Sequence, residues 1–147
     1  MALLLTLMNY LSELAVLTRA YWQQVMAVKT AVNKEIEEAR NRKEVGSGLS
    51  AEVTLYAAPE LKTLLAELGD ELRFVLLSSR ADIQLLSDAG EATDLDGLRV
   101  AVIASPHRKC VRCWHYRDDI GHDPAHPTIC GRCTSNLFGA GEVRTVA

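Results

Sequence analysis

The chain of 147 residues has room for one ordinary domain, or for one domain with a small appended module. Hydrophobic residues make up 48% of it and the formal net charge is −3, which excludes charged disorder and a uniformly basic coat for nucleic acid. Aromatic residues reach only 5%, which argues against a broad surface for stacking bases.

The first segment, residues 1–17, is apolar but short for a membrane span. Asn9, Ser12 and Glu13 interrupt it, whereas a spanning helix needs about 20 apolar residues. No Lys or Arg precedes the apolar stretch, as an export signal would require. We therefore predict a buried or partner-seeking helix, no membrane partner and a cytoplasmic location, where clustered cysteines bind metal rather than form disulfides.

A long helix is predicted next. Apolar residues recur every three or four positions from Trp22 to Ala39, which is the spacing of one helix face. We expect this helix to reach back toward residue 3 and forward to about Lys43, and to be ended by the glycines at 46 and 48. The alternating charges of residues 34–44 predict a solvated face; RNA contact by its basic residues is the alternative.

The middle of the chain predicts a small mixed α/β region with about three strands. The predicted strands are residues 51–57, 80–86 and 98–104. Pro59 suits the start of a helix and Gly69 its end, and the leucine stripe between them predicts a core-facing side. Residues 71–77 fit either a short helix or a strand, and the acidic stretch at 88–97 predicts an exposed loop.

The fold class predicted from these elements is α+β, in which an N-terminal helical segment precedes the mixed region and a four-cysteine, zinc-ribbon-like module ends the chain. The expected boundaries are 1–20, 21–46, 47–106 and 107–147. The last of these is the more basic part, with six Lys or Arg against four Asp or Glu. Attraction to phosphate would therefore depend on where its arginines point.

Four cysteines carry the chemistry that the sequence shows. Cys110, Cys113, Cys130 and Cys133 form the pattern C-x2-C-x16-C-x2-C, which is typical of a structural zinc site. Two cysteines three residues apart can place both sulfurs on one metal in a tight turn, and the connector can return the second pair as a short hairpin. Four thiolates fill a tetrahedral shell and leave no position for a reactive water, so we predict structural Zn²⁺ rather than a disulfide or an iron–sulfur cluster.

Several neighbours of the cysteines are also potential metal or RNA contacts. Four histidines lie nearby, at positions 107, 115, 122 and 126; because four cysteines suffice, we expect these histidines at the surface or around the ligands. We expect Trp114 to cover the metal and supply the core of the module, with base stacking as the alternative. Zinc should supply most of the folding free energy of this module.

No catalytic constellation is visible in the sequence. The chain has no GxGxxG, P-loop or GxSxG pattern, and it contains neither the sequence HIGH nor the sequence KMSKS.

A family resemblance rests on several segments. KCVRCWHY (109–116), ICGRCTSN (129–136) and the closing GEVRTVA resemble the extreme C-terminus of bacterial isoleucyl-tRNA synthetases. Three upstream segments, VNKEIEEAR, AEVTLYA and LGDELRFVLLSS, are similar to the part of those enzymes that precedes the zinc module. The resemblance covers about residues 21–147 and is more specific than the cysteine spacing alone.

The resemblance implies a function in protein synthesis. The family attaches isoleucine to its tRNA with ATP; residues 21–46 would end its anticodon-binding helical region, and the zinc module would help to engage isoleucine tRNA. The candidate RNA-facing residues on this basis are Lys109, Arg112, Trp114, His115, Arg117 and Arg132. A separate catalytic part of the synthetase is a further implied partner.

Some features depart from the family. Catalytic and editing domains do not fit in 147 residues, so we expect no aminoacylation by the chain alone. Residues 1–20 do not match the family, and one hypothesis is that the chain is a fragment of a larger gene. Two other functions are considered: the zinc-finger tail of a DNA glycosylase, although position 2 is Ala rather than the nucleophilic proline of those enzymes, and a zinc-stabilised module that binds proteins only.

Overall fold

A computed structural model describes residues 18–146, and the first element in it is the long helix α1 (Arg19–Asn41). Thr18 begins the helix, because its hydroxyl accepts a hydrogen bond from the backbone N–H of Tyr21 at 3.1 Å. The helix ends before the predicted glycines, since Lys43 turns the chain with a left-handed φ of 61°. The predicted extension toward residue 3 lies outside the described residues.

The mixed region follows α1 in the predicted order. Its elements are β1 (Ala51–Ala57), α2 (Pro59–Ala66), α3 (Leu72–Leu76), β2 (Arg80–Leu85), β3 (Glu91–Ala92) and β4 (Leu98–Ala104). Pro59 occupies the first turn of α2, where its missing N–H removes no helical hydrogen bond. Gly69, expected to end this helix, instead opens the short 3-10 turn Gly69–Glu71 that leads into α3.

The ambiguous segment 71–77 is helical, as α3 shows. Leu77 ends this helix with a left-handed φ of 55°, and the N–H of Ser78 donates to the carbonyl of Arg73 at 3.0 Å. A periodicity argument cannot decide so short a run, because its apolar residues suit a buried helix and a buried strand equally well.

The four strands form one mixed sheet in the order β2-β1-β4-β3. The central strand β1 pairs with β2 in parallel and with β4 in antiparallel orientation. The two-residue strand β3 was not predicted, because its sequence is acidic and does not alternate. It forms where Arg99 of β4 reaches back to the carbonyl of Gly90, with Nη2 and O 2.7 Å apart.

The core lies between the sheet and the helices. Val53 and Leu55 of β1 are buried with Val28 and Val32 of α1 and with Leu65 of α2. The alternate β1 residues at 52, 54 and 56 remain partly exposed, as expected for a strand with one buried face. The leucine stripe of α2 therefore faces the core, as predicted.

The last three elements belong to the cysteine-bearing module. They are β5 (Arg108–Lys109), β6 (Tyr116–Arg117) and α4 (Gly131–Phe138), with β5 and β6 paired as a two-stranded antiparallel ladder. Between β6 and α4 the chain forms turns without further regular structure. Within residues 18–146, no helix combines the length and the apolar character that a bilayer crossing requires.

Candidate metal centre

The first cysteine pair lies in the turn that joins β5 to β6. The N–H of Cys110 donates to the carbonyl of His115 at 2.8 Å, and the N–H of Trp114 donates to the carbonyl of Cys110 at 3.0 Å. Trp114 closes this turn with a left-handed φ of 67°. The turn brings Cys110 and Cys113 to one side of the chain, as the spacing predicted.

The second cysteine pair begins a helix rather than a second tight turn, which corrects the expected pair of turns. Cys130 is the N-cap of α4 in extended conformation, and Cys133 lies in the first helical turn. Residues three apart in this position share one side of the helix, so their sulfurs converge without a tight turn. A sequence with CxxC spacing fits both arrangements, and the sixteen-residue connector did not distinguish them.

The four sulfurs have the spacing of a tetrahedral zinc site. Their ligand atoms all lie within 4.8 Å of one another, and the Sγ–Sγ distances are 3.8 Å for Cys110–Cys133 and 3.7 Å for Cys113–Cys130. Zinc–sulfur bonds of about 2.3 Å would give tetrahedron edges of about 3.8 Å. Three of the four cysteines are buried and Cys113 is half-buried, so the thiol set fits a closed structural site.

Polar groups around the sulfurs favour the thiolate form of one cysteine. Burial raises the pKa of Cys110, but hydrogen bonds from the backbone N–H groups of Cys113, Cys130 and Arg112 outweigh it and lower that pKa to about 6. Burial raises the pKa of Cys113 and of Cys130. Ionisation of the cysteines whose pKa is raised therefore needs a nearby cation, a charge that Zn²⁺ would supply.

Three of the predicted RNA-facing residues lie at the exposed tip of the first turn. Lys109 and Arg112 are exposed, and Trp114 is 58% exposed. The Lys109 ammonium lies 4.7 Å from the centre of the Trp114 ring, and Arg112 Nη1 donates to Cys133 Sγ at 3.5 Å. The expectation that Trp114 covers the metal was wrong, because the left-handed turn directs its ring to solvent.

The other three predicted residues hold the module against the mixed region. His115 is buried, with its ring edge toward Phe74 and the ring centres 5.7 Å apart, so it presents no face to RNA. Arg117 Nη1 donates to the carbonyl of Ser79 at 3.1 Å, and the Arg132 guanidinium, which also pairs with Glu142, lies 4.9 Å from the centre of the Phe74 ring. These contacts were invisible in the sequence because their partners are remote along the chain.

Two residues of this contact were missed by pattern reasoning. Ser79 is fully buried and its hydroxyl accepts the N–H of Tyr116 at 2.7 Å. Phe74 lies among three guanidinium groups, with those of Arg132 and Arg144 at 4.9 and 4.1 Å from its ring centre. Phe74 and Ser79 both lie within the segment LGDELRFVLLSS, but no local pattern marks them as interface residues.

Comparison with known proteins supports both the zinc module and the family resemblance of the rest of the chain. The family model described as "Zinc finger found in FPG and IleRS" matches residues 108–136. Isoleucine–tRNA ligases from Azotobacter vinelandii, Pseudomonas putida and Chromohalobacter salexigens are 58%, 52% and 54% identical over 89%, 95% and 90% of the chain. The chain corresponds to a C-terminal portion of isoleucine–tRNA ligases.

The chain matches only a small part of each of these isoleucine–tRNA ligases. The chain spans about one seventh of the length of these curated ligases, with 14%, 15% and 15% covered. Similarity extends well beyond the zinc finger, which favours a ligase segment over the tail of a DNA glycosylase. The zinc finger match and the tetrahedral cysteine cluster together identify the structural Zn²⁺ that the spacing predicted.

Proposed function

We propose that this chain engages isoleucine tRNA as the C-terminal, zinc-bearing part of an isoleucine–tRNA ligase in the cytoplasm. Its further partner is the catalytic part of such a ligase, which would carry out the ATP-dependent attachment of isoleucine. In this proposal residues 21–46 form the end of the anticodon-binding helical region. The relatives' names support tRNA as the partner of the whole enzyme.

One observation carries the proposal for this chain: an aromatic ring and two cations are exposed together at the tip of a metal-anchored turn. A side chain as large as Trp114 is seldom left 58% exposed beside a buried metal site. Lys109 stacks on that ring at 4.7 Å. An unpaired base stacks on such a surface while cations contact its phosphates, which is how proteins bind single-stranded RNA.

The six candidate residues divide into two groups in the proposal. Lys109, Arg112 and Trp114 contact RNA directly, because they are exposed. His115, Arg117 and Arg132 act indirectly, by fixing the module on the mixed region through Phe74 and Ser79. Zinc supplies rigidity, since coordination of both cysteine pairs fixes the turn that displays Trp114 relative to α4.

The proposal is tested by titrating labelled isoleucine tRNA with the zinc-loaded full chain in a fluorescence anisotropy assay. Replacing Trp114 with Ala should weaken binding by about 1–3 kcal/mol, or roughly fivefold to over a hundredfold, because base stacking is lost. Trp114→Phe should retain part of the affinity. Ile103→Ala, which truncates a side chain of β4 that is likewise 58% exposed, is the matched control and should leave affinity unchanged.

Salt dependence provides a second readout. Arg112→Ala should weaken binding and reduce the slope of log K against log salt by about one, because one phosphate contact is removed. Equal affinity of wild type and Trp114→Ala would contradict the proposal. Preference for abasic duplex DNA would instead favour the glycosylase function, and self-association without RNA affinity would favour a protein-binding module.

A further inference from the structure

The connector between the two cysteine pairs contains a carboxylate that contacts the metal-bearing helix. Asp119 follows β6, and its Oδ2 accepts a hydrogen bond from the backbone N–H of Gly131 at 3.1 Å. Gly131 is the first residue of α4, directly after Cys130 and two residues before Cys133. The first N–H groups of a helix have no partner within the helix, so Asp119 satisfies one of them at the point where the metal ligands are placed.

Asp119 lies so close to Gly131 that no residue with a side chain fits at position 131 without a shift. A Cβ atom added to Gly131 would lie 2.7 Å from Asp119 Oδ2, a distance that real Cβ contacts essentially never show. The carboxylate and the start of α4 are therefore matched in shape as well as in hydrogen bonding. A side chain at position 131 would therefore require the Asp119 carboxylate to shift.

The second carboxylate oxygen of Asp119 argues against a role in solubility alone. Asp119 Oδ1 is buried and has no hydrogen-bond partner among the residues that the structure describes. A carboxylate placed only for solubility would keep both oxygens in water, because leaving a buried acceptor unpaired costs free energy. The other oxygen, Oδ2, makes the hydrogen bond to the N–H of Gly131 that offsets this cost.

We propose that Asp119 is a positioning residue for the zinc site. Asp119 does not belong to the cluster of potential metal ligands, which consists of the four cysteines. By holding the first N–H of α4, it fixes where Cys130 and Cys133 present their sulfurs to the pair from the first turn. The inference rests on the zinc site and does not depend on RNA binding.

The first test is a Co²⁺ titration of the full chain, followed by displacement with Zn²⁺. Asp119→Ala should bind both metals 10- to 100-fold more weakly, the usual effect of losing a group that orients a metal ligand. Its Co²⁺ absorption bands, which report tetrahedral sulfur coordination, should weaken or shift. Asp119→Asn keeps an acceptor for the Gly131 N–H and should restore the affinity and the bands.

The control removes the same charge from the neighbouring position. Asp118 is exposed and lies beside Asp119, so Asp118→Ala should leave metal affinity and the Co²⁺ spectrum unchanged. Wild-type affinity and bands in Asp119→Ala, or equal losses in the Asp118 and Asp119 variants, would overturn the proposal. Failure of Asp119→Asn to restore the site would overturn it as well.

A double-mutant cycle tests directly whether Asp119 and Gly131 act together. Gly131→Ala alone should weaken metal binding, because its new methyl group meets Asp119 Oδ2. In the Asp119→Ala background the same change should cost less, since its clash partner is gone and Ala favours a helix. Additive losses would show that the two residues do not act together and would refute the inference.

Discussion

Trp114 combines backbone strain with exposure in a single residue. Its φ of 67° is one that residues with a Cβ rarely adopt, and its ring is 58% exposed. Strain of this kind costs about 1–3 kcal/mol and persists where the surrounding structure imposes it. The exposed ring gains too little burial energy to offset that strain. A bulky residue at a position suited to glycine is therefore more readily explained by binding than by stability.

A Trp114→Gly variant separates these two effects. Glycine adopts the left-handed conformation without a steric penalty, so we expect the zinc-loaded variant to be at least as stable as wild type, with a gain of up to about 1 kcal/mol. Affinity for isoleucine tRNA should nevertheless fall as in Trp114→Ala. Urea unfolding measures the stability and fluorescence anisotropy measures the tRNA affinity of the same preparation. A clear loss of stability would show that the ring has a structural role.

At the scale of elements, helix α4 connects metal binding to the fold of the module. It begins at Cys130, and Cys133 is fully buried in its first turn. Among residues 18–146, the apolar cluster around the cysteines contains only Ile120 and Ile129 besides the cysteines themselves. So small a cluster supplies little burial energy, whereas structural zinc contributes about 10–16 kcal/mol in peptides of this kind.

Cys130→Ser should therefore release zinc and unfold residues 107–146, while the core between α1, α2 and the sheet stays folded. That core is built from buried residues of α1, α2 and β1, and the cysteines of the module form a separate apolar cluster. Hydrogen exchange read by mass spectrometry would show loss of protection in the module and retention in β1. A chelator added to wild type is the control and should give the same pattern; collapse of protection throughout the chain would contradict this prediction.

At the scale of the whole molecule, the module is attached to the mixed region by specific contacts. The Phe74 ring contacts His115 of the module and Arg144 of the C-terminal segment. Ser79 accepts hydrogen bonds from Tyr116 and Arg117. The C-terminal segment also returns to the mixed region, where the backbone N–H of Val146 donates to Glu71 Oε2 at 2.7 Å. These contacts orient the exposed tip at Trp114 relative to α1.

Phe74→Ala should loosen this attachment without removing zinc. The lost aromatic and cation–π contacts are worth about 2 kcal/mol together, which corresponds to roughly thirtyfold faster hydrogen exchange in β5 and β6. Phe74→Leu, which keeps apolar volume without a ring face, should give an intermediate result. Unchanged exchange in both variants would mean that Ser79 and the C-terminal segment hold the module by themselves.

The sequence by itself determined the metal site and most elements of the mixed region. Cysteine spacing specifies the ligands because four thiolates and one metal form a local chemical unit. Alternation and leucine periodicity specified β1, β4 and α2, because their buried faces repeat with a fixed period. Residues 71–77 and β3 were not determined, since short runs carry too few periods to distinguish one element from another.

The tertiary structure alone decided which basic and aromatic residues of the module are free to bind. Lys109, Arg112, Trp114, His115, Arg117 and Arg132 are equivalent candidates in the sequence, yet half of them contact the mixed region or the C-terminal segment. The match between Asp119 and Gly131 was also invisible, because they are separate along the chain. Contacts between distant residues depend on how the chain packs, and no local pattern encodes that packing.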